Sequence, residues 1–445
     1  MTLSAFRREF RPMFSLAVPV ILAEIGWTTM GLVDTFMVGG LGPAAIGGVG
    51  FGSIVFLAIS IFGMGLLLGL DTVVAQAYGA GQVERCHHWL VQGAYLSLLI
   101  AAPLMLASYG LIGTLPGWRL NGAVLAIAVP YLKVLSFSVV PLLFYATFRR
   151  YLQAQNCVRP ITFALATANL INVLVNWLLI YGRCGFPALG ATGSAWATLI
   201  SRVYMAVVLL VAIGLREGRD ASGLRDTSKR IEWASIRRLL TLGGPASIQG
   251  LLEVGVFAAA SALVGRLSEA ALAAHQIALN LWGFVYMIPL GLNAAGAVRV
   301  GQAVGRHDHD GVRRAGWTAL ALGAVMTSAA ALVFLLGGRL LISAFSSDPT
   351  VLAIGRGLLA IAGVCLVFDS TQGIATGILR GLGETRVPMV IALAGYWAVA
   401  LPLGYVACFN WGWGVQGMWI GLASGLVLVG AALLRVWHTH VAELP

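Results

Sequence analysis

The chain has 445 residues, 59% of them hydrophobic and only 10% charged, with a formal net charge of +11 and a mean hydropathy of +0.88. A soluble core does not absorb that much apolar surface, so the composition excludes an ordinary globular protein and implies a polytopic membrane protein. The positive charge does not imply a nucleic-acid partner, because the basic residues are scattered through short loops between apolar spans.

Residues 1–11, with Arg7, Arg8 and Arg11, lead into an apolar stretch too long for the core of a signal peptide. The first helix is therefore expected to act as an uncleaved anchor. A membrane-crossing helix needs about 20 mostly apolar residues. Breaks at polar or Gly/Pro clusters then predict twelve spans, at 13–38, 46–78, 88–113, 124–148, 160–182, 190–214, 237–264, 270–298, 314–338, 350–378, 387–408 and 414–437. The first two look long or bent. The clearly hydrophilic segment is 215–236, with Arg216, Arg219, Arg225, Lys229, Arg230 and four acidic residues. It reads as a solvated linker between an N-terminal six-helix lobe, 1–214, and a C-terminal one, 237–445.

With a cytoplasmic N-terminus, most basic residues fall in inside segments, among them Arg85, Arg149, Arg150, Arg159, Arg299, Arg313, Arg314 and Arg380. The outside loops then hold only Arg119, Arg183, Arg266 and Arg339. This asymmetry predicts an inner-membrane protein with both termini and the linker on the cytoplasmic side. The halves also repeat. Pro19 matches Pro245, Val38-Gly39 matches Val264-Gly265, and Gln76-Ala77-x-Gly79 matches Gln302-Ala303-x-Gly305, at a constant offset of 226. Gly190-x-x-Gly193 answers Gly414-x-x-Gly417 at 224. Six spans per half give both halves one orientation, so an all-α fold with a pseudo-two-fold axis along the membrane normal is expected.

Three carboxylates lie within apolar runs: Asp34, Glu253 and Asp369. Each costs roughly 3 kcal/mol at mid-bilayer on insertion scales. None recurs in the other half, so the polar equipment is specific to each half while the scaffold is duplicated. A proton and Na⁺ can compete for one buried carboxylate, which is the chemistry that antiport requires. The alternative for each is a protonated acid bonded to a neighbouring helix. Glu24 either lines a cavity or bonds a neighbouring helix, and Asp71 suits gating or packing better than ion binding. Lys133, Arg202 and Arg356 also fall in spans, where they snorkel or pair with a carboxylate. His275, Gln276 and Asn280 open the eighth span, the histidine with a structural role at the membrane interface. Trp282 and Tyr286 share a helix face, for stacking on an aromatic cation or for packing. The five cysteines show no metal spacing. No P-loop, His-Glu-x-x-His or Ser/His/Asp pattern is present, so no enzyme and no ATP-driven pump is expected.

The segments Met30–Gly39 (Met-Gly-Leu-Val-Asp-Thr-Phe-Met-Val-Gly), Leu70–Gly81, Ala273–Asn280 and Leu379-Arg380-Gly381 resemble the first, second, eighth and tenth helices of the multidrug and toxic compound extrusion (MATE) family. Glu253 and Asp369 are similar to the acidic pair of its NorM-like branch. The resemblance implies that these two form a cation site, with Na⁺ as a candidate ligand, and that Asp34 is the acidic residue of the N-terminal lobe. Asn172, Asn176 and Thr198 match positions that surround that carboxylate. Gln276, Asn280, Trp282 and Tyr286 are the further candidates for the substrate cavity. Asn176 departs from another branch, which has aspartate there, and Cys365 stands where some relatives have tyrosine.

The expected function is secondary active efflux of cationic, amphipathic drugs in exchange for Na⁺ or H⁺ by alternating access. The expectation includes no cofactor, a lipid bilayer, no nucleic-acid partner and a monomer. The alternative is a lipid or oligosaccharide-lipid flippase of a related branch.

Overall fold

A computed structural model describes residues 3–118, 121–220, 223–224 and 226–443. Arg119 and Arg225, which count in the charge asymmetry, lie outside the described residues, as do the side chains of Arg7 and Arg8. Among the described residues the regular structure is entirely helical. The spans are α1 (Leu3–Gly39), α2 (Pro43–Gly79), α3 (Val83–Trp118), α4 (Gly122–Phe137 continued by Val139–Ala154), α5 (Arg159–Tyr181) and α6 (Ala191–Asp220). After these come α7 (Trp233–Val264), α8 (Glu269–Gly305), α9 (His309–Ser343), α10 (Pro349–Leu382), α11 (Arg386–Asn410) and α12 (Gly414–Ala442). Eleven are helical spans long and apolar enough to cross a bilayer, and the bent pair α4, taken as one span, makes the twelfth.

The ends run past the hydropathy limits. Asp308, for example, caps α9 by accepting from Gly311 N at 2.7 Å, so the helix starts at His309, five residues before the predicted start at 314. Polar helix ends are stabilised by caps rather than by lipid, so hydropathy does not detect them. The 45° bend falls in α4 and not in α1. Pro141 has no N–H to offer the Phe137 carbonyl, and Leu135 O accepts from both Ser138 Oγ at 2.5 Å and Ser138 N at 2.9 Å at the break. α2 is interrupted at Leu67-Leu68, in keeping with the expectation for the second span.

Two compact packing units are present, Leu22–Ser247 and Met1–Ile21 with Ile248–Pro445. Both handover points lie two residues beyond a proline inside a helix, Pro19 in α1 and Pro245 in α7. They are separated by the same 226 residues as the sequence repeat. Each unit thus has the first part of one long helix and the remainder of the other, whereas the sequence boundaries at 214 and 237 follow the covalent chain. The segment expected to be a solvated linker belongs with the first of these units. Gln92 on α3 donates to Arg230 O at 2.8 Å and accepts from Glu232 N at 3.0 Å, and the Tyr95 hydroxyl donates to Lys229 O at 2.6 Å. Composition reports polarity, but these backbone groups are tied to side chains some 140 residues earlier.

The Gly-x-x-Gly repeat has one physical cause in both units. Gly190 and Gly414 adopt left-handed φ values of 57° and 60° just before α6 and at the start of α12, a region that costs other residues about 1 kcal/mol or more. At Gly193 an added Cβ would sit 2.7 Å from the Leu179 carbonyl oxygen of α5, and at Gly417 it would sit 2.7 Å from that of Ala407 in α11. Only a hydrogen fits where these backbones meet.

Candidate functional site

In the unit Leu22–Ser247, Asp34 on α1 is buried, with 5% exposure. Asn172 and Asn176 are one turn apart on α5, and both donate to Asp34 Oδ1, at 3.0 and 2.7 Å. Thr198 on α6 donates to Oδ2 at 2.7 Å. The carboxylate is therefore compensated by three donors from two helices, and the asparagines are linked to each other at 3.1 Å. A cavity of about 230 Å³ opens beside it, with Trp27, Phe56, Tyr131, Thr198 and Arg202 in its wall. Tyr131 and Ser53 share a 3.1 Å hydrogen bond there. Arg202 follows Thr198 by one turn and does not snorkel. It is 8% exposed, with its guanidinium 4.7 Å from the centre of the Phe56 ring and 5.6 Å from that of Trp27, and it donates to Ser138 Oγ.

The other unit has a cavity of about 240 Å³ that Glu253, Asp369, Trp282, Tyr286, Phe257 and Tyr396 line. Glu253 on α7 and Asp369 on α10, 116 residues apart, thus reach one space. Glu253 Oε1 accepts from Gln249 at 3.0 Å and Gln372 at 2.7 Å. Asp369 Oδ2 accepts from Trp282 Nε1 at 2.8 Å. Gln249 also donates to Thr376 Oγ1 at 3.1 Å, joining α7 to α10 a second time. Two carboxylates in an otherwise mainly apolar and aromatic wall offer oxygen ligands to a hard cation such as Na⁺, or a place for a proton. Among the described residues, no group of three or more His, Cys, Asp or Glu side chains forms a metal cluster. The carboxylates are therefore a pair whose remaining ligands would be hydroxyl, amide or carbonyl oxygens.

Trp282 and Tyr286 share the cavity wall, as their spacing predicts. The tryptophan is held on three sides: by Asp369, by an edge-on contact with Phe257 at 5.5 Å and by Trp419 at 5.3 Å. Trp419 Nε1 in turn donates to His275 Nδ1 at 2.8 Å, and His275 Nε2 meets Ser261 Oγ at the same distance. His275 is fully buried, held between Trp419 and Ser261. It sits nearly two turns into α8, whose start at Glu269 is set by the Ser268 cap. Gln276 and Asn280 lie on the exposed face of α8, not in the wall of this cavity. A helix that turns 100° per residue carries them away from the Trp282 face.

The remaining acids have partners that the sequence did not specify. Glu24 pairs with Arg149, and Asp71, fully buried, pairs with Arg150 at 2.7 Å. Two adjacent arginines of α4 thus serve acids on α1 and α2. Glu9 accepts a bidentate bond from Arg299, at 2.6 and 3.0 Å. Lys133 and Arg356 are exposed, and Cys365 is buried.

Sequence reasoning missed Gln249, Gln372 and Tyr396. Gln249 stands one turn before Glu253 and Gln372 three residues after Asp369, so helical spacing could have raised both. Tyr396 had no such signal. It lies in a π-helical stretch of α11, Leu393–Ala400, whose wider turn re-aims side chains and is a feature often found at functional sites.

A twelve-span helical protein with small aromatic cavities around buried carboxylates has the architecture of a membrane transporter. The MatE family model matches residues 19–178 and 245–406, and the chain belongs to that family as a NorM-like MATE transporter. It is 36% identical to a probable multidrug resistance protein NorM of Mesorhizobium japonicum, over 97% of this chain and 94% of the relative. It is 32% identical to the multidrug resistance protein MdtK of Edwardsiella ictaluri, over 94% and 93%. Its fold superposes on the crystal structure of the eukaryotic MATE transporter AtDTX14 with a TM-score of 0.88, at 21% identity and 99% coverage of both chains. An outward-facing multidrug resistance MATE transporter of the MOP superfamily gives 0.88 at 20% identity, over 97% of this chain and 96% of that one.

Proposed function

We propose that the chain exports cationic, amphipathic small molecules in exchange for Na⁺ or H⁺, by alternating access across the inner membrane, with both termini cytoplasmic. The observation that carries this reading is the joint placement of Glu253 and Asp369 in the wall of one cavity that has no basic residue in its lining. Two carboxylates that meet only neutral hydrogen-bond donors in a low-dielectric site call for a mobile cation. A Na⁺ ion or a proton that enters the cavity supplies it, and its departure restores negative charge. Exchange follows if the two charge states favour opposite orientations of the transporter. The multidrug resistance named for the relatives, at 36% and 32% identity, supports drug-like organic cations as cargo. The aromatic walls offer the faces such cargo stacks upon.

The test is reconstitution in liposomes with Na⁺ and H⁺ gradients imposed separately, following efflux of a cationic dye. Efflux is expected to follow one or both gradients and to be lost in the Glu253→Gln/Asp369→Asn variant. Gradient-driven efflux that survives both substitutions would sink the proposal.

A further inference from the structure

The hydrophilic segment that joins α6 to α7 is held at the level of the bilayer surface. Its backbone at Lys229, Arg230 and Glu232 is bonded to Tyr95 and Gln92, and both of these belong to the apolar span predicted at 88–113. Tyr95 lies about 18 Å along α3 from its start at Val83. Helical side chains tilt toward the helix N-terminus, here the linker side, so both residues reach back from within the span to the backbone they hold. The last part of the linker is thereby fixed against α3 where the apolar stretch ends, not in the solvent beyond it.

The side chains there match that position. Ile231 is 43% exposed and Trp233 66%, and tryptophan is the residue enriched where bilayer meets water. Lys229, Arg230, Arg237 and Arg238 are exposed, and none has an ion-pair partner among the described residues. Trp233 and Arg237 are one helical turn apart at the start of α7, on one face. Glu232, the acid within this run, meets His88 at 2.9 Å and accepts from Ser235 at 2.8 Å. Asp226, three residues ahead of Lys229, lines a recess with Glu84 and Arg85 instead. Four cations without a paired acid thus flank an exposed indole.

We propose that Lys229, Arg230, Arg237 and Arg238, with Trp233, form a binding site for the headgroup of an anionic phospholipid. The lipid belongs to the leaflet on the linker side, the cytoplasmic one in the orientation proposed above. Its phosphodiester and net negative charge meet the basic side chains, and juxtamembrane Lys and Arg attract such lipids in proportion to their number. The exposed Ile231 and Trp233 favour a ligand with acyl chains over a free phosphate, because an inorganic anion leaves them in water. The bonds from Gln92 and Tyr95 present the cations at fixed positions, which a loose basic tail does not do. The site is separate from ion coupling and stands whichever cation drives transport.

The test places the full-length protein in nanodiscs of phosphatidylcholine and phosphatidylglycerol, with bromine on the chains of one lipid class at a time. Tryptophan quenching is read in the wild type and in Trp233→Phe, and the difference belongs to Trp233. Brominated phosphatidylglycerol is expected to quench Trp233 about twofold or more better than brominated phosphatidylcholine at equal mole fraction, and about 1 M NaCl should remove the preference. Lys229→Gln/Arg230→Gln/Arg237→Gln/Arg238→Gln should abolish it. Arg230→Lys/Arg237→Lys/Arg238→Lys, which keeps the charge, should retain it, as should Arg306→Gln/Arg435→Gln, which removes two exposed cations elsewhere. Equal quenching by the two lipids in the wild type, or a preference that survives the four Gln substitutions, overturns the inference. A preference that millimolar inorganic phosphate abolishes marks a free-anion site and overturns it too. The wild-type comparison decides the matter even if the fourfold variant does not fold.

Discussion

The indole Nε1 of Trp282 donates a 2.8 Å hydrogen bond to Asp369 Oδ2, and the same indole rests against Trp419, which His275 holds. A carboxylate in the cavity wall is thereby oriented by an aromatic relay that ends at a buried histidine. Residues that orient a ligand from behind commonly contribute 10–100-fold to ion affinity.

Trp282→Phe keeps most of the ring and removes the donor. The half-saturating ion concentration for dye efflux is expected to rise about tenfold, equivalent to about 1.4 kcal/mol. An unchanged ion dependence would make Trp282 a packing residue only.

Gly193→Ala and Gly417→Ala place a methyl against a backbone carbonyl that cannot rotate away. Overpacking of this kind costs about 1–3 kcal/mol, so both variants should unfold several degrees earlier in detergent. Gly31→Ala, where the added atom meets nothing within 4 Å, is the control and should match the wild type.

Asn176→Asp replaces an amide donor 2.7 Å from Asp34 Oδ1 with a second acid. The lost bond and the new repulsion are expected to destabilise the protein by about 2 kcal/mol or more without added salt. Na⁺ should restore part of the loss more effectively than choline does. Equal melting temperatures in both salts would count against a cation-accepting pocket there.

Asp348, exposed ahead of α10, caps that helix by accepting from Val351 N at 3.0 Å and Thr350 N at 2.7 Å. These two backbone donors hold its carboxyl below the usual aspartate range. A lowered folded-state value means that the stabilisation is present above the ordinary aspartate pKa of about 3.9 and fades as pH falls through the folded value. The melting temperature of Asp348→Ala should therefore lie furthest below the wild type near neutral pH, and the two should converge in acid. A gap that does not change with pH would show that the charge of the cap is immaterial.

Much of the fold was legible because the bilayer imposes a one-dimensional rule. Apolar length predicted twelve spans, and the 226-residue offset marked a duplication whose Pro19 and Pro245 turn out to sit beside the two unit boundaries. Asp34, Glu253 and Asp369 stood out for the same reason, since a charge within an apolar run has to be answered by something.

What answers each charge was decided by tertiary structure alone. Arg202, Arg149 and Arg150 are indistinguishable in sequence from snorkelling or loop cations, yet one faces a cavity over two rings and the others pair with Asp71 and Glu24. Gln372 reaches Glu253 across 119 residues of chain, and Gln276 is turned away from the cavity by the rotation of its helix. Hydropathy and spacing are properties of a single helix, and they determined where this chain crosses the membrane and which side chains are costly there. Compensation of charge is a property of several helices packed together, and so only the folded protein separates an acid paired with an arginine, such as Asp71, from one that meets a neutral donor, such as Asp369.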